Sequence, residues 1–286
     1  MNAPRSPSSF RIFATNDDGL FAPGMIELAR RLSPRAELTI VAPDGARSAA
    51  SHSITLHKPL RLDVAPGFPW PSDAREPHVA YTCSGSPTDC VMLGVLEVLK
   101  ESPPHVVVSG INEGQNLAED VTYSGTVAAA MEGAILGFPS IAVSLDYRGA
   151  GNYPTASHFL VNLISRVFFG DTSENPAAWL PVDTSELLAR HGGKVFLNVN
   201  VPDRAIDEVK GLRLCRTGFR GYRDVVQKMV DPRGRPFFWI AGERVAEDLR
   251  EGTDVRAVEN GWVAVTPLTW ELTFEPGFAT LAPVLE

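Results

Sequence analysis

The stretch RIFATNDDGL at residues 11–20, continued by PGMIELARRL at 23–32 and ELTIVAPDG at 37–45, decides the fold. Arg11 to Thr15 is a short apolar run, and the polar cluster Asn16-Asp17-Asp18-Gly19 stops it. Pro23 suits a first helical turn, where its missing N–H would have no partner in any case. Met25, Ile26, Leu28, Ala29 and Leu32 then recur at helical spacing and supply a buried face. Glu37 to Ala42 is a second apolar run, closed by Pro43-Asp44-Gly45. Strand, helix and strand within about 30 residues form a βαβ unit, which requires a parallel sheet.

Working outward, Ile54 to Asp63 reads as a polar extended arm and Ala65 to Pro77 as a Pro-rich surface loop. Ser86-Pro87-Thr88-Asp89 is a helix start, with a capping Ser, Pro in the first turn and an acid at the third position; the helix is expected to run to about Lys100. His105 to Ser109 reads as a third core strand, Gly110 to Tyr123 as a long polar loop, and Val127 to Leu136 as a helix opened by Ser124-Gly125-Thr126. Ser140 to Leu145 is a further strand, Tyr153 to Phe169 a helix, Asp171 to Pro181 a break, and Lys194 to Val199 another strand. Beyond Pro202, short alternating segments at 212–216, 223–230, 236–241 and 261–265 suggest extended arms or hairpins, with a helix near Thr253 to Glu259. The fold class is therefore α/β: a Rossmann-like, doubly wound, mostly parallel sheet with C-terminal extended arms.

With 44% hydrophobic and 21% charged residues the chain has the composition of an ordinary globular protein, which excludes wholesale disorder. A net charge of -8 without any Lys/Arg run argues against duplex nucleic acid as a partner, although not against single nucleotides. The three cysteines, Cys83, Cys90 and Cys215, form no CxxC pair, so neither a zinc cluster nor a disulfide framework is expected. The apolar window Val127 to Leu145 is broken by Glu132, Gly133, Gly137 and Pro139, and a membrane span needs roughly 20 clean apolar residues. Residues 1–10 are Ser/Pro-rich without an apolar leader core, and are expected to be a frayed tail. The expected location is the cytoplasm.

In an open parallel sheet, ligands bind beyond the carboxyl ends of the strands. Strand one ends in Asn16, Asp17 and Asp18; strand two ends at Asp44, with Arg47 and Ser48 following; the third core strand ends in Ser109-Gly110-Ile111-Asn112, with Asn116 beyond. Carboxylates and neutral oxygens without a His/Cys cluster favour a hard divalent cation, Mg²⁺ or Mn²⁺. Adjacent carboxylates in a cleft repel unless a cation neutralises them. Asp-Asp-Gly by itself is equally well a solvated turn. Ser124-Gly125-Thr126 at a helix start is an anion site, or a plain cap. A cation site and an anion site on one edge suit a phosphate ester. No Gly-x-Ser-x-Gly elbow, P-loop or GxGxxG is present, and the Asp-x-Asp of haloacid-dehalogenase-type phosphatases is absent. His52 and His57 lie in the extended arm without metal-ligand spacing.

At these residues the chain resembles the SurE family (survival protein E), metal-dependent 5′-nucleotidases. The resemblance is carried by Thr15-Asn16-Asp17-Asp18-Gly19, Val41-Ala42-Pro43-Asp44 with Arg47-Ser48, Ser51-His52-Ser53-Ile54-Thr55, Gly85-Ser86-Pro87-Thr88-Asp89, Ser109-Gly110-Ile111-Asn112 with Asn116, Tyr123-Ser124-Gly125-Thr126, Asn198-Val199-Asn200 and Glu251-Gly252-Thr253-Asp254, in order along nearly the whole chain. The family's Gly-Thr-Pro is Gly85-Ser86-Pro87 here. The resemblance implies one domain over residues 11–286, with an extension over about 203–286 exchanged between subunits of a dimer or tetramer. It implies metal ligands at Asp17, Asp18, Ser48 and Asn112, catalytic roles for Asp17 and Asp18, and phosphate surroundings at Asn16, Ser109, Gly110, Asn116, Ser124, Gly125 and Thr126. The expected reaction is hydrolysis of nucleoside 5′- and possibly 3′-monophosphates to nucleoside and phosphate. The rival expectation is a non-catalytic sensor of metal and nucleotide.

Overall fold

β1 (Arg11–Thr15) is an interior strand of the main sheet, paired on both sides, and its side chains alternate between two apolar faces. Ile12 and Ala14 enter one hydrophobic cluster while Phe13 enters another on the opposite face. A strand apolar on both sides has to be covered by helices on both sides. The computed structural model of the chain describes residues 10–47, 49–170, 195–273, 277–278 and 282–283, and for 222–225 and 241–244 the backbone alone.

α1 (Pro23–Leu32) and α4 (Tyr153–Phe169) cover the Ile12/Ala14 face; α2 (Pro87–Leu93) and α3 (Gly125–Ile135) cover the Phe13 face. The other strands are β2 (Glu37–Pro43), β3 (Leu62–Val64), β4 (Val79–Cys83), β5 (Val106–Glu113), β6 (Ser140–Asp146), β7 (Val195–Pro202), β8 (Leu212–Leu214), β9 (Arg220–Val230), β10 (Pro236–Glu247) and β11 (Val263–Thr269). The main sheet runs β3-β4-β2-β1-β5-β6-β7-β11-β8. The six strands from β4 to β7 are mutually parallel, while β3 and β11 pair antiparallel with their neighbours β4 and β7. This is the doubly wound α/β architecture expected, with polar strand ends gathered on one edge.

Several boundaries differ from the sequence reading. Phe10 is core, not tail: it is fully buried, its ring centroid 5.0 Å from His105 and 5.7 Å from Phe168. Between the Pro-rich loop and the helix start, where the sequence reading has no element, β4 is a full strand paired to β2. The helix expected to reach Lys100 is α-helical only to Leu93 and widens to a π turn over Gly94–Val98. Gly94 lies against the Phe13 ring, where a Cβ would come within 2.0 Å of Cε2. The expected loop from Gly110 is strand as far as Glu113: β5 crosses a register shift between Ser109 and Asn112 and resumes its pairing with β6. The C-terminal third is less irregular than expected, because β11 and β8 complete the main sheet and only β9 and β10 form a separate hairpin. α5 (Asp254–Glu259) is the helix expected there. The expected break at Asp171–Pro181 lies outside the described residues. No helix among the described residues is long and apolar enough to cross a membrane.

Candidate functional site

Asn16, Asp17 and Asp18 leave the end of β1 in a turn that Asn16 itself closes. Its Nδ2 donates to the Gly19 carbonyl at 2.9 Å, and Gly19 N–H donates to its Oδ1 at 3.2 Å. Asn16 is fully buried and shapes the loop that carries the two carboxylates; it does not line the cleft they face. The Arg47 N–H, donating to the Asp17 carbonyl at 2.7 Å, ties the same turn to the loop after β2.

Asp17 is 6% exposed and meets the start of α3. Thr126 Oγ1 donates to Oδ1 at 2.5 Å and the Thr126 N–H to Oδ2 at 3.2 Å. The anion at this helix start is thus the protein's own carboxylate, held by a hydroxyl and by the backbone at the positive end of the helix. Ser124 caps the helix, its Oγ accepting from the Val127 N–H at 3.1 Å. Burial still pushes the Asp17 pKa above its ordinary value, against the lowering effect of Thr126. Asp18 is half-buried, and its Oδ2 accepts from the Glu113 N–H at 3.1 Å. Desolvation, with the neighbouring charges of Asp17 and Glu113 adding to it, raises its pKa from 3.8 to about 6.

Asn112 and Glu113 come from the end of β5. Asn112 Nδ2 donates to the Gly114 carbonyl at 2.8 Å, which commits the amide nitrogen and leaves Oδ1 as the end available to a cation. Asp17, Asp18, Asn112, Glu113, Asn116, Asp120, Tyr123, Ser124 and Ala49 line one cleft of about 240 Å³. Of the expected ligands, the structure therefore brings Asp17, Asp18 and Asn112 together; Ser48 lies outside the described residues. Of the expected phosphate contacts, Asn116 and Ser124 line the cleft. Asn116 is held within a buried polar group: its Nδ2 donates to Ser144 Oγ at 2.8 Å, and its carbonyl accepts from Asn198 Nδ2 and Asn200 Nδ2. Ser109, Gly110, Gly125 and Thr126 are buried behind the surface. At Gly110 the backbone has φ +132°, and a Cβ would lie 2.2 Å from the Val143 carbonyl oxygen, so conformation and packing both require glycine.

Sequence reasoning missed four contributors. Glu113 orients Asp18 through its backbone, and its carboxylate accepts from the Tyr153 hydroxyl at 2.7 Å. Burial and that carboxylate raise the Tyr153 pKa, so the hydroxyl stays a donor. Asp120 and Tyr123 come from the 3₁₀ turn Ala118–Thr122 and the residue after it. An acid directly after Asn112 at a strand end was the available signal for Glu113; nothing in the spacing pointed to Tyr153, which lies 40 residues further on. His52, in the arm, pairs with Glu132 of α3 at 2.8 Å, a tether between arm and helix.

The charge of the cleft bears on what it can hold. Asp17, Asp18 and Glu113 have no Lys, Arg or His ion partner among the described residues, and Asp120 is paired with Arg220 at 3.0 Å. No Lys or Arg lines the cleft among the described residues. A phosphate dianion entering it would meet only negative charge unless a cation came with it. The donor set, two carboxylates and an amide oxygen, fits a hard divalent ion. It falls short of a cluster of three acidic, His or Cys ligands, of which there is none among the described residues.

Residues 12–224 match the family model described as Survival protein SurE. The chain is 42% identical over 274 residues to a protein named 5′-nucleotidase SurE from Synechococcus sp. (strain JA-3-3Ab), covering 94% of this chain and 95% of the relative. It is 43% identical over 277 residues to a 5′-nucleotidase SurE from Thermosynechococcus vestitus, covering 95% of each. Among solved structures, the SurE protein from Aquifex aeolicus matches with a TM-score of 0.74 at 36% identity, over 96% of this chain and 100% of that one.

Proposed function

The chain belongs to the SurE family, and from that premise we propose that it is a 5′-nucleotidase: it hydrolyses nucleoside 5′-monophosphates, and 3′-monophosphates as a second class, with Mg²⁺ or Mn²⁺ held by Asp17, Asp18 and Asn112. Ser48 is the fourth ligand that the family resemblance supplies. The observation that carries the metal dependence is the cleft's uncompensated negative charge beside a neutral amide oxygen. When bound, a divalent ion supplies charge neutralisation, polarises the phosphoryl oxygen and acidifies water.

The protein's own groups divide the remaining work. Asp17, with hydrogen bonds at both oxygens, is fixed in place and serves as a holding group. Asp18 has one oxygen bonded and the other without a hydrogen-bond partner among the described residues, so it is the group placed to orient or deprotonate the attacking water. The alternative, attack by an Asp carboxylate on phosphorus, is separated by acid quench of a single turnover with ³²P-labelled AMP and by stereochemistry: label held covalently on Asp17 or Asp18 with net retention at a chiral phosphate excludes direct water attack, and inversion excludes the phospho-aspartate. We also propose a homo-oligomer that exchanges the β9–β10 hairpin, supported by the exposure of Phe238 (57%), Trp239 (61%) and Ile240 (86%) on it. Light scattering that finds only monomer overturns this part.

The test of the whole reading is phosphate release from AMP with Mn²⁺ or Mg²⁺, against the same protein in EDTA. Asp17→Asn and Asp18→Asn should each abolish turnover. Protein that binds AMP and metal yet releases no phosphate is a sensor, and the enzyme reading fails.

A further inference from the structure

Tyr123 is the sole aromatic residue among the described residues that line the cleft. Its side chain is two-thirds exposed, at 66%, and its ring and hydroxyl have no partner among the described residues. Its backbone, in contrast, is fixed on both sides. The Tyr123 N–H donates to the Asp120 carbonyl at 3.1 Å, and its own carbonyl accepts from the Ser51 N–H at 3.1 Å. The Ser51 hydroxyl donates to the Thr122 carbonyl at 2.8 Å, so the arm braces the residue before as well. The next residue, Ser124, caps α3, and two residues further Thr126 grips Asp17. The Tyr123 Cα is thereby held in a set position relative to the carboxylates, while its ring stands free at the rim.

An anchored backbone with a free ring is what a stacking platform needs. The chain around it is already ordered, so binding has only two side-chain torsions to restrict. The carboxylates, amides and hydroxyl of the cleft suit phosphate, cation and sugar hydroxyls; besides Tyr123 its one apolar lining residue is Ala49, whose methyl group is too small to stack on a base. We propose that Tyr123 is the base-recognition residue: its ring stacks on the nucleobase of a nucleotide whose phosphate lies against Asp17, Asp18 and Asn112. This rests on the nucleotidase reading above and adds where the base goes. Every base has a π-face, so a stacking contact without hydrogen-bond readout tolerates all of them and favours purines for their larger area.

The experiment compares AMP with ribose 5-phosphate, which carries the same phosphate and sugar without the base, on full-length metal-loaded protein. The readout is the ratio of their kcat/KM values. Tyr123→Ala should collapse the preference for AMP by roughly tenfold, the order expected of one lost base stack. Tyr123→Phe and Tyr123→Trp should retain it. A ratio that does not move in Tyr123→Ala overturns the assignment. Wild-type protein that turns over neither ester sinks the nucleotidase reading instead. The stacking assignment is then read from calorimetric affinities for the same two ligands, with the same ratio and the same overturning result.

Discussion

Replacing Thr126 with valine removes one hydrogen bond and leaves the shape of the side chain nearly intact. Thr126 is fully buried, and its Oγ1 donates to Asp17 Oδ1 at 2.5 Å. Its backbone N–H, 3.2 Å from Oδ2, survives the change. A hydrogen bond to a charged group contributes about 1.5–3 kcal/mol. Here it opposes the burial that raises the Asp17 pKa, and it is the largest of the opposing effects. In metal-free protein at pH 8, urea unfolding should therefore show Thr126→Val less stable by about 2 kcal/mol. The pH dependence follows from the sign of the shift. A carboxylate whose folded pKa is raised contributes stability that is present below its unfolded pKa and lost as pH rises through the folded one. Loss of the hydroxyl raises the folded pKa further, so the deficit should be small near pH 4 and grow toward pH 8. Thr126→Ser retains an Oγ and should recover most of the difference. If the valine variant matches wild type at pH 8, or shows an equal deficit at pH 4 and pH 8, the hydroxyl is not supporting an ionised Asp17 and the argument is refuted.

Two further outcomes are expected. Because desolvation raises the Asp18 pKa from 3.8 to about 6, protein in EDTA should lose thermal stability as pH rises through about 6; Mg²⁺ or Mn²⁺ should offset the loss, and Asp18→Asn should lack that component. An identical pH slope in the variant removes Asp18 as its source. Gly110→Ala should destabilise the fold by about 3 kcal/mol or more in urea, since a Cβ at φ +132° would lie 2.2 Å from the Val143 carbonyl oxygen; near-wild-type stability would show that this packing yields.

The sequence by itself determined the fold class. Apolar runs of strand length, alternating with helical spacing and divided by Pro, Gly and Asp, can be buried on both faces only in a parallel sheet between helices, and this chain adopts one. It also determined which strand ends are polar, and hence that Asp17, Asp18 and Asn112 share one edge. Local pattern fell short where burial overrode it. Phe10 belongs to the core because His105 and Phe168, distant in sequence, pack on it. β5 continues past Gly110 because β6 offers it a partner across the register shift. What only the tertiary structure decided is the division of roles inside the site. The Ser124-Gly125-Thr126 helix start, legible as an anion site, holds the protein's own Asp17. Asn16 turns inward to close the loop. Glu113, Tyr153 and Tyr123 join the site from separate elements. Composition and spacing establish which groups can meet; hydrogen-bond geometry and burial, set by contacts between residues far apart in the chain, decide which atom faces which.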